Sequence, residues 1–216
     1  MTGGKFITFE GGEGGGKSTQ AARLCTTLER HGIDVVATRE PGGTEGAEEI
    51  RALLVNGTPG RWHPLTEALL HSAARNEHVN KLIRPALDSG RWVVSDRFAD
   101  STLAYQGYAQ GLGPERVARL TDLTVGEFRP DLTLVLDLSP EAGLERAAHR
   151  AANAAGPAED RYERMGPDFH AALRGAFLEI AREEPERCAV IDANASVDTV
   201  EQAIWDVVSQ RLGVGA

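Results

Sequence analysis

Cysteine and long apolar runs are both scarce in this sequence. Its two cysteines, Cys25 and Cys188, fall in different predicted elements and form no metal-binding pair. A low cysteine content is typical of proteins kept in a reducing compartment. No apolar run approaches the ~20 residues that a membrane-spanning helix needs. The first residues lead directly into a predicted strand, which leaves no room for a signal peptide. We therefore expect a cytoplasmic protein with no membrane partner.

Lysine is also rare. Lys5, Lys17 and Lys81 are the lysines among 23 basic residues, and the formal net charge is −9. A general nucleic-acid binder presents a basic face, so this charge argues against nucleic acid as a partner. The charge does not exclude small anionic substrates, because local arginines matter more for them than the total. Since arginine is the usual basic residue here, a single arginine indicates a site only where its context is unusual.

Short apolar runs alternate with longer helical segments along the chain. Strands are predicted at residues 6–9, 35–38, 92–95, 132–138 and 189–191. Helices are predicted at residues 17–31, 45–54, 66–89, 114–125, 140–152, 167–184 and 197–212. The strands are continuously apolar, as expected where helices cover both faces of a sheet. The alternation predicts an α/β fold with a five-stranded parallel sheet, in which ligands bind beyond the carboxyl ends of the strands.

One segment departs from this alternation. Residues 147–166 are rich in Ala, Gly, Arg and Pro and interrupt two predicted helices. We predict a mobile lid there, with a disordered linker as the alternative. The length of 216 residues is that of one domain. The sequence therefore predicts a single domain over residues 1–216 that includes this lid.

A glycine-rich segment follows the first predicted strand and precedes the first predicted helix. Its spacing is Gly-x4-Gly-Lys-Ser, which is typical of a phosphate-binding loop. Glycines allow backbone N–H groups to surround phosphate oxygens, and the helix N-terminus adds partial positive charge. We expect Lys17 to reach the β- and γ-phosphates of a nucleoside triphosphate and Ser18 to hold Mg2+. The phosphate loop, as the term is used below, comprises Gly11, Gly12, Glu13, Gly14, Gly15, Gly16, Lys17, Ser18 and Thr19.

A phosphate loop alone does not separate GTPases, ATPases and small-molecule kinases. A guanine-reading segment requires Asn-Lys-x-Asp, whereas Asn80 and Lys81 are followed by Leu82 and Ile83 inside a predicted helix. Adenylate kinase is disfavoured because its Gly-x-Pro loop and its Asp-Gly-Phe-Pro-Arg segment are missing. What remains is a phosphotransferase with a lid. A kinase of another monophosphate and a slowly hydrolysing nucleotide switch remain the alternatives.

Several further motifs together resemble one family. They are FEG (9–11), TREPGGT (38–44), DRF (96–98), STLAYQG (101–107) and FRPDLT (128–133). In order and spacing they are similar to bacterial thymidylate kinases, from about residue 5 to residue 165. The resemblance implies a P-loop nucleotide kinase fold and transfer of the γ-phosphoryl of ATP to dTMP with Mg2+. It also implies a homodimer.

The resemblance assigns roles around the phosphates. Arg97 grips the acceptor phosphate, and Asp96 orients water on Mg2+. Arg150 and Arg161 of the lid swing onto the transferring phosphates beside Lys17. A phosphate nucleophile is already anionic at neutral pH, so no general base is required. Catalysis then depends on alignment and on neutralising charge.

The resemblance also implies an acceptor site. His71 stands where the family usually has a phenylalanine stacked on thymine, although a core histidine is the alternative. Arg75, four residues later on the same helix face, hydrogen-bonds the base. Tyr105 crowds the ribose 2′ position, and Glu13 accepts a hydrogen bond from the 3′-hydroxyl. The remaining acceptor-site residues are Glu40, Pro41, Arg51, Ser101, Thr102 and Gln106. Residues 192–194 are expected to line the adenine pocket.

Overall fold

The computed structural model describes residues 3–153 and 161–215. Its centre is a five-stranded sheet in the order β2-β3-β1-β4-β5, and every pair of neighbouring strands is parallel. The strands are β1 (Phe6–Glu10), β2 (Val35–Arg39), β3 (Trp92–Asp96), β4 (Leu132–Asp137) and β5 (Cys188–Asp192). All five predicted strands are confirmed, with ends that differ by one residue, and so is the parallel α/β fold.

Helices cover both faces of the sheet. They are α1 (Lys17–Arg30), α2 (Glu45–Val55), α3 (Pro64–His78), α4 (Arg84–Asp88), α5 (Ala99–Thr102), α6 (Pro114–Val125), α7 (Pro140–Asn153), α8 (Pro167–Glu183) and α9 (Val197–Leu212). Two π-helical segments, π1 (Val79–Ile83) and π2 (Leu103–Ala109), adjoin α4 and α5. Each predicted helix is found in this set.

The structure differs from the predicted helices in two places. The helix predicted at residues 66–89 is divided into α3, π1 and α4. Pro85 lies just after this change, and its missing N–H removes one bond of the regular α-helical ladder. The helical segment α5–π2 was not predicted at all, because it contains Gly107 and aromatic residues of modest helix propensity. It is stabilised by packing against α6 and α8.

Side chains of β1 alternate between the two faces of the sheet. Ile7 and Phe9 pack into the apolar cluster formed with α1 and α9. Phe6 packs on the opposite face, in a cluster that includes Phe98 and Ile83. Both clusters consist of buried side chains, which explains why the strands are largely apolar on both faces.

The last residue of each strand is charged, and the parallel arrangement brings all five to one edge of the sheet. They are Glu10, Arg39, Asp96, Asp137 and Asp192. The candidate site is built at this edge.

Part of the predicted lid is helical, because α7 continues to Asn153. Residues 154–160 of the lid lie outside the described residues, so the lid and the single-domain boundaries stay predictions. In the part of the chain that the structure describes, no helix is both long and apolar enough to cross a membrane.

Candidate active site

The phosphate loop connects β1 to α1 through a backbone that only glycine adopts easily. Gly11, Gly14 and Gly16 have φ angles of 128°, 69° and 84°. A Cβ on Gly14 would lie 1.9 Å from the carbonyl oxygen of Gly143, so a side chain is excluded there. Gly16 provides no side-chain cap to α1. The first N–H groups of α1 are therefore left to bind an anion.

Lys17 is buried beside this loop. Its Nζ donates a hydrogen bond to the Gly12 carbonyl over 2.6 Å. Burial, together with the nearby Arg97, lowers the pKa of Lys17 to about 8, although Glu13 and Asp96 favour its charged form. A bound phosphate would favour the charged form further, because it adds negative charge next to the ammonium group.

Ser18 and Asp96 meet at the end of β3. The Ser18 hydroxyl donates to Asp96 Oδ2 over 2.5 Å. Asp96 is held there because β3 pairs with β1, with Phe9 and Asp96 in register. A hydroxyl and a carboxylate oxygen next to a phosphate loop are the hard donors that Mg2+ prefers, so these residues fit that ion.

Arg97 follows immediately and adopts a left-handed backbone with φ of 71°, which is uncommon for a residue other than glycine. Its Nη1 donates to the Gly11 carbonyl and the Ser101 hydroxyl, both over 3.1 Å. Its Nη2 donates to Glu13 Oε1 over 3.2 Å. The strained backbone thus aims the guanidinium at the phosphate loop.

Glu13 receives a second donor from the other side. The Tyr105 hydroxyl donates to Glu13 Oε1 over 2.5 Å. Burial alone would raise the pKa of Glu13, but Arg97, Lys17 and the Tyr105 hydrogen bond lower it to about 2. Glu13 is therefore an ionised acceptor at neutral pH.

An acceptor cavity of about 120 Å³ opens beside Arg97, bounded by α2, α3 and π2. Its lining residues are Glu13, Glu40, Pro41, Arg51, Val55, His71, Arg75, Arg97, Phe98, Ser101, Tyr105, Gln106, Tyr162 and Glu163. The structure brings together all the acceptor-site residues suggested by the sequence except Thr102. Thr102 lies just behind, as a hydrogen-bond partner of Arg75.

Arg75 is almost completely buried, and its guanidinium donates hydrogen bonds to three protein acceptors. Its Nε donates to Glu40 Oε2 over 2.8 Å. Its Nη2 donates to the Phe98 carbonyl over 3.0 Å and to the Thr102 hydroxyl over 2.8 Å. Its Nη1 has no partner among the described residues. A buried donor without a partner is costly, so this nitrogen is available to a ligand in the cavity.

A second cavity of about 360 Å³ adjoins the other end of the phosphate loop. It is lined by Gly14, Gly15, Gly16, Thr19, Gln20, Arg146, Ala193, Ala195, Ser196, Val197 and Val200. Arg146 donates to the Ala193 carbonyl over 3.0 Å. Of residues 192–194, Ala193 therefore lines this cavity. The phosphate loop stands between two cavities, an arrangement that suits transfer between two bound molecules.

Comparison with known proteins identifies the family. Residues 9–204 match the family model described as thymidylate kinase. The chain is 54% identical to a thymidylate kinase of Caulobacter vibrioides over 214 residues, which cover 99% of this chain and all of the relative. It is 50% identical to that of Jannaschia sp. over 207 residues, 96% of this chain and 97% of the relative. A solved thymidylate kinase of Ehrlichia chaffeensis superposes with a TM-score of 0.76 at 34% identity, covering 96% of this chain and 99% of that one.

This chain belongs to the thymidylate kinase family. The resemblance inferred from the sequence motifs is thereby confirmed, together with the phosphotransferase class and ATP as donor.

In this thymidylate kinase family member, His71 lies on the cavity wall rather than in the apolar core. Its Nε2 is 3.1 Å from the Tyr162 hydroxyl. Burial and the nearby Arg75 and Arg161 lower the pKa of His71 to about 3, so the imidazole is neutral. Its stacking role stays a prediction.

The two lid arginines occupy different environments. Arg150 is exposed and donates to Glu163 Oε1 over 2.6 Å. It also contributes to lowering the pKa of Glu13, which shows that it lies within electrostatic reach of the phosphate loop. Arg161 is buried, donates to the Leu54 carbonyl over 2.7 Å and pairs with Glu67 Oε2 across 2.9 Å. The structure thus brings Arg161 to α2 and α3, and its contact with phosphates stays a prediction.

Sequence reasoning did not assign a role to Glu10. This fully buried carboxyl group accepts hydrogen bonds from the Phe98 N–H over 2.7 Å and from the Ser101 N–H and hydroxyl over 3.3 Å and 2.5 Å. Burial and the nearby Asp100 raise the pKa of Glu10 to about 8. Through these hydrogen bonds Glu10, the last residue of β1, fixes the position of the segment from Arg97 to Ser101. One indication of this role was present in the sequence: Glu10 is a charged residue that directly follows the apolar run of residues 6–9.

Proposed function

We propose that the chain catalyses transfer of the γ-phosphoryl group of ATP to dTMP, giving ADP and dTDP, with Mg2+ as the metal ion. The observation that carries the choice of acceptor is a pair of buried polar atoms, on two residues that line the acceptor cavity, for which the described residues provide no hydrogen-bond partner. One is the donor Arg75 Nη1 and the other is the acceptor Gln106 Oε1.

These two atoms complement a thymine base. Thymine presents an N3–H donor next to a C4 carbonyl acceptor, so Gln106 Oε1 would receive the N–H and Arg75 Nη1 would donate to the carbonyl. Cytosine presents the opposite pattern, an N3 acceptor beside an amino donor. Binding cytosine would leave both protein atoms unsatisfied, and this is the kind of mismatch that buried polar sites reject most strongly.

The part of the cavity wall formed by Tyr105 and Glu13 favours a deoxyribonucleotide over a ribonucleotide. The Tyr105 ring is held edge-on by Tyr162, Phe169 and Phe177, with ring centroids 5.1, 6.0 and 6.2 Å away. Its hydroxyl is fixed on Glu13. A ring that cannot move aside would crowd a 2′-hydroxyl. The ionised Glu13 is a suitable acceptor for the 3′-hydroxyl.

The phosphate groups meet a set of cations. In the transfer, a dTMP phosphate oxygen forms a bond to the γ-phosphorus, and the bond from that phosphorus to the β,γ-bridging oxygen breaks. We assign Arg97 and Arg51 to the acceptor phosphate, Lys17 to the donor phosphates and Arg150 to the group in transfer. Ser18 and Asp96 would hold Mg2+, which would neutralise charge on the donor phosphates. No side chain needs to remove a proton, because the nucleophile is a dianion.

We also propose a cytoplasmic homodimer with no nucleic-acid or membrane partner. The two cysteines are buried and free, as suits a reducing compartment. Leu65 and Leu69 are exposed four residues apart on α3, and Leu53 is exposed on the adjacent α2. An apolar patch of this kind favours association of two copies. Sedimentation equilibrium at micromolar concentration tests this, and a monomer would contradict it.

The experiment that tests the activity measures ADP formation from Mg-ATP with one monophosphate at a time. The monophosphates are dTMP, dUMP, UMP, CMP, AMP and GMP, beside a sample without any. We expect the fastest turnover with dTMP. Fastest turnover with another monophosphate would support a different nucleotide kinase. Equal slow hydrolysis in every sample would contradict a kinase and leave a nucleotide-driven switch.

A further inference from the structure

Glu67 of α3 is a buried carboxylate on which several donors converge, although it does not line the acceptor cavity. Its Oε1 accepts from Gln106 Nε2 over 2.8 Å, from Gln110 Nε2 over 2.9 Å and from the Tyr162 hydroxyl over 2.6 Å. Its Oε2 pairs with Arg161 across 2.9 Å, and both side chains are at most 3% exposed. No role was assigned to Glu67 from the sequence.

The first consequence concerns the amide of Gln106. A carboxylate paired with a guanidinium only accepts hydrogen bonds, so the amide must turn its NH2 group toward Glu67. The other end of the same amide, Oε1, then has no hydrogen-bond partner in the described part of the chain, and Gln106 is one of the residues that line the cavity. If the amide were reversed, a donor would replace this acceptor, and the pattern that complements thymine would be lost. Glu67 therefore fixes which hydrogen-bonding group Gln106 offers.

The second consequence concerns His71. The single proton of the Tyr162 hydroxyl is donated to Glu67 over 2.6 Å. The Tyr162 oxygen must then accept at its contact with His71 Nε2, 3.1 Å away. This arrangement requires the proton of the neutral imidazole on Nε2 and leaves Nδ1 without one. One carboxylate thus sets the hydrogen-bond direction of two side chains that line the cavity.

We infer that Glu67 is a positioning residue for the acceptor base: it holds Gln106 in the orientation that selects thymine over cytosine, and through Tyr162 it sets the tautomer of His71. The inference rests on the proposed function, because it concerns the same cavity. It also connects two parts of the molecule. Arg161 and Tyr162 belong to the predicted lid, so the carboxylate that orients the base-reading amide also holds this part of the lid against α3.

The experiment compares dissociation constants of dTMP and dCMP for the wild type and the Glu67→Gln variant. A glutamine at this position can donate to the Gln106 carbonyl, which allows the reversed amide. We expect the dTMP-to-dCMP affinity ratio to fall at least about tenfold, the effect of one reversed hydrogen bond in a buried site. The matched control is Glu77→Gln on the same helix, whose carboxylate pairs with the exposed Lys81. We expect its ratio to equal that of the wild type.

A double-mutant cycle tests whether Glu67 acts through Gln106. In the background of Gln106→Met, the substitution Glu67→Gln should leave the dTMP-to-dCMP ratio unchanged. Equal weakening of both nucleotides by Glu67→Gln, with the ratio preserved, would show a merely structural role and overturn the inference. A wild-type protein with no preference for dTMP would instead overturn the proposed function, and the inference with it.

A measurement on the wild type covers the case in which Glu67→Gln fails to fold because Arg161 loses its charged partner. The 15N NMR shifts of the His71 ring report which nitrogen carries the proton. We expect a protonated Nε2 and an unprotonated Nδ1 throughout the neutral pH range. A proton on Nδ1 would mean that Tyr162 does not donate to Glu67, and the inference would be wrong.

Discussion

The Tyr105 hydroxyl donates to Glu13 over 2.5 Å and thereby connects π2 to the phosphate loop. The Arg97 guanidinium, 5.1 Å from the centre of the Tyr105 ring, is held by the same carboxylate. The loop expected to bind the donor phosphates and the wall expected to hold the acceptor sugar are therefore one hydrogen-bonded unit.

This unit predicts how sugar selectivity depends on Tyr105. Replacing Tyr105 by Ala removes the ring that crowds the ribose 2′ position, so the ratio of kcat/KM for dTMP over its ribose counterpart should fall about tenfold or more. Tyr105→Phe is the matched variant, because it keeps the ring and loses only the bond to Glu13. We expect Tyr105→Phe to retain most of the selectivity. An unchanged ratio in Tyr105→Ala would remove this residue from the sugar site.

Lys17 should contribute to turnover and little to folding. Lys17→Ala removes a positive charge that stabilises the transferring phosphates, so kcat should fall about 10²- to 10³-fold, the size typical for a lost transition-state interaction. Among the residues that the structure describes, its Nζ donates to the Gly12 carbonyl alone, so thermal unfolding should change little. Lys81→Ala, which removes an exposed lysine, serves as the control and should keep its full kcat. Retention of more than about a tenth of turnover by Lys17→Ala would contradict the assignment of the phosphate loop.

The Ser18–Asp96 pair should determine the Mg2+ requirement. Asp96→Asn weakens the oxygen donor set, so the Mg2+ concentration for half-maximal ADP formation should rise about 10- to 100-fold. Asp137→Asn provides a control, since Asp137 also ends a strand but pairs with Arg174. Chelation of Mg2+ should abolish turnover of the wild type, and adding Mg2+ back should restore it. An Asp96→Asn enzyme with an unchanged Mg2+ titration would place the ion elsewhere.

His71 should make folding stability depend on pH. Burial and the neighbouring Arg75 lower its folded-state pKa to about 3, below the ~6.5 of an unfolded histidine. Between these values the unfolded state binds more protons, so the contribution of His71 to the free energy of unfolding is lost as pH falls from about 6.5 toward 3. The His71→Phe variant has no titrating imidazole at this position. When the pH is lowered from 6.5 to 5, the free energy of unfolding should therefore decrease in both proteins, but by about 2 kcal/mol less in His71→Phe than in the wild type.

Urea titrations of both proteins across this pH range measure the difference. Parallel pH curves for the wild type and His71→Phe would show that the histidine is not buried in its neutral form.

The sequence by itself determined the sheet and the phosphate loop. Both depend on local rules: a largely apolar run such as residues 6–9 forms a buried strand, and the spacing of glycines, lysine and serine from Gly11 to Ser18 is typical of a phosphate-binding loop. The parallel order of the strands then brought their charged ends, Asp96 among them, to one edge. Most of the acceptor-site residues could be named because they lie in contiguous motifs with the family's spacing.

The tertiary structure alone decided the contacts between residues far apart in the chain. Glu67 appeared as one polar residue on an amphipathic helix, and nothing local indicated that Tyr162 and Arg161, more than ninety positions later, would converge on it. The same holds for Glu10, which became a buried anchor only when Phe98 and Ser101 closed over it. Periodicity reports which face of an element is buried. The hydrogen-bond partners of a buried polar group depend on which distant segments pack around it in the tertiary structure. No single segment of the sequence contains this information.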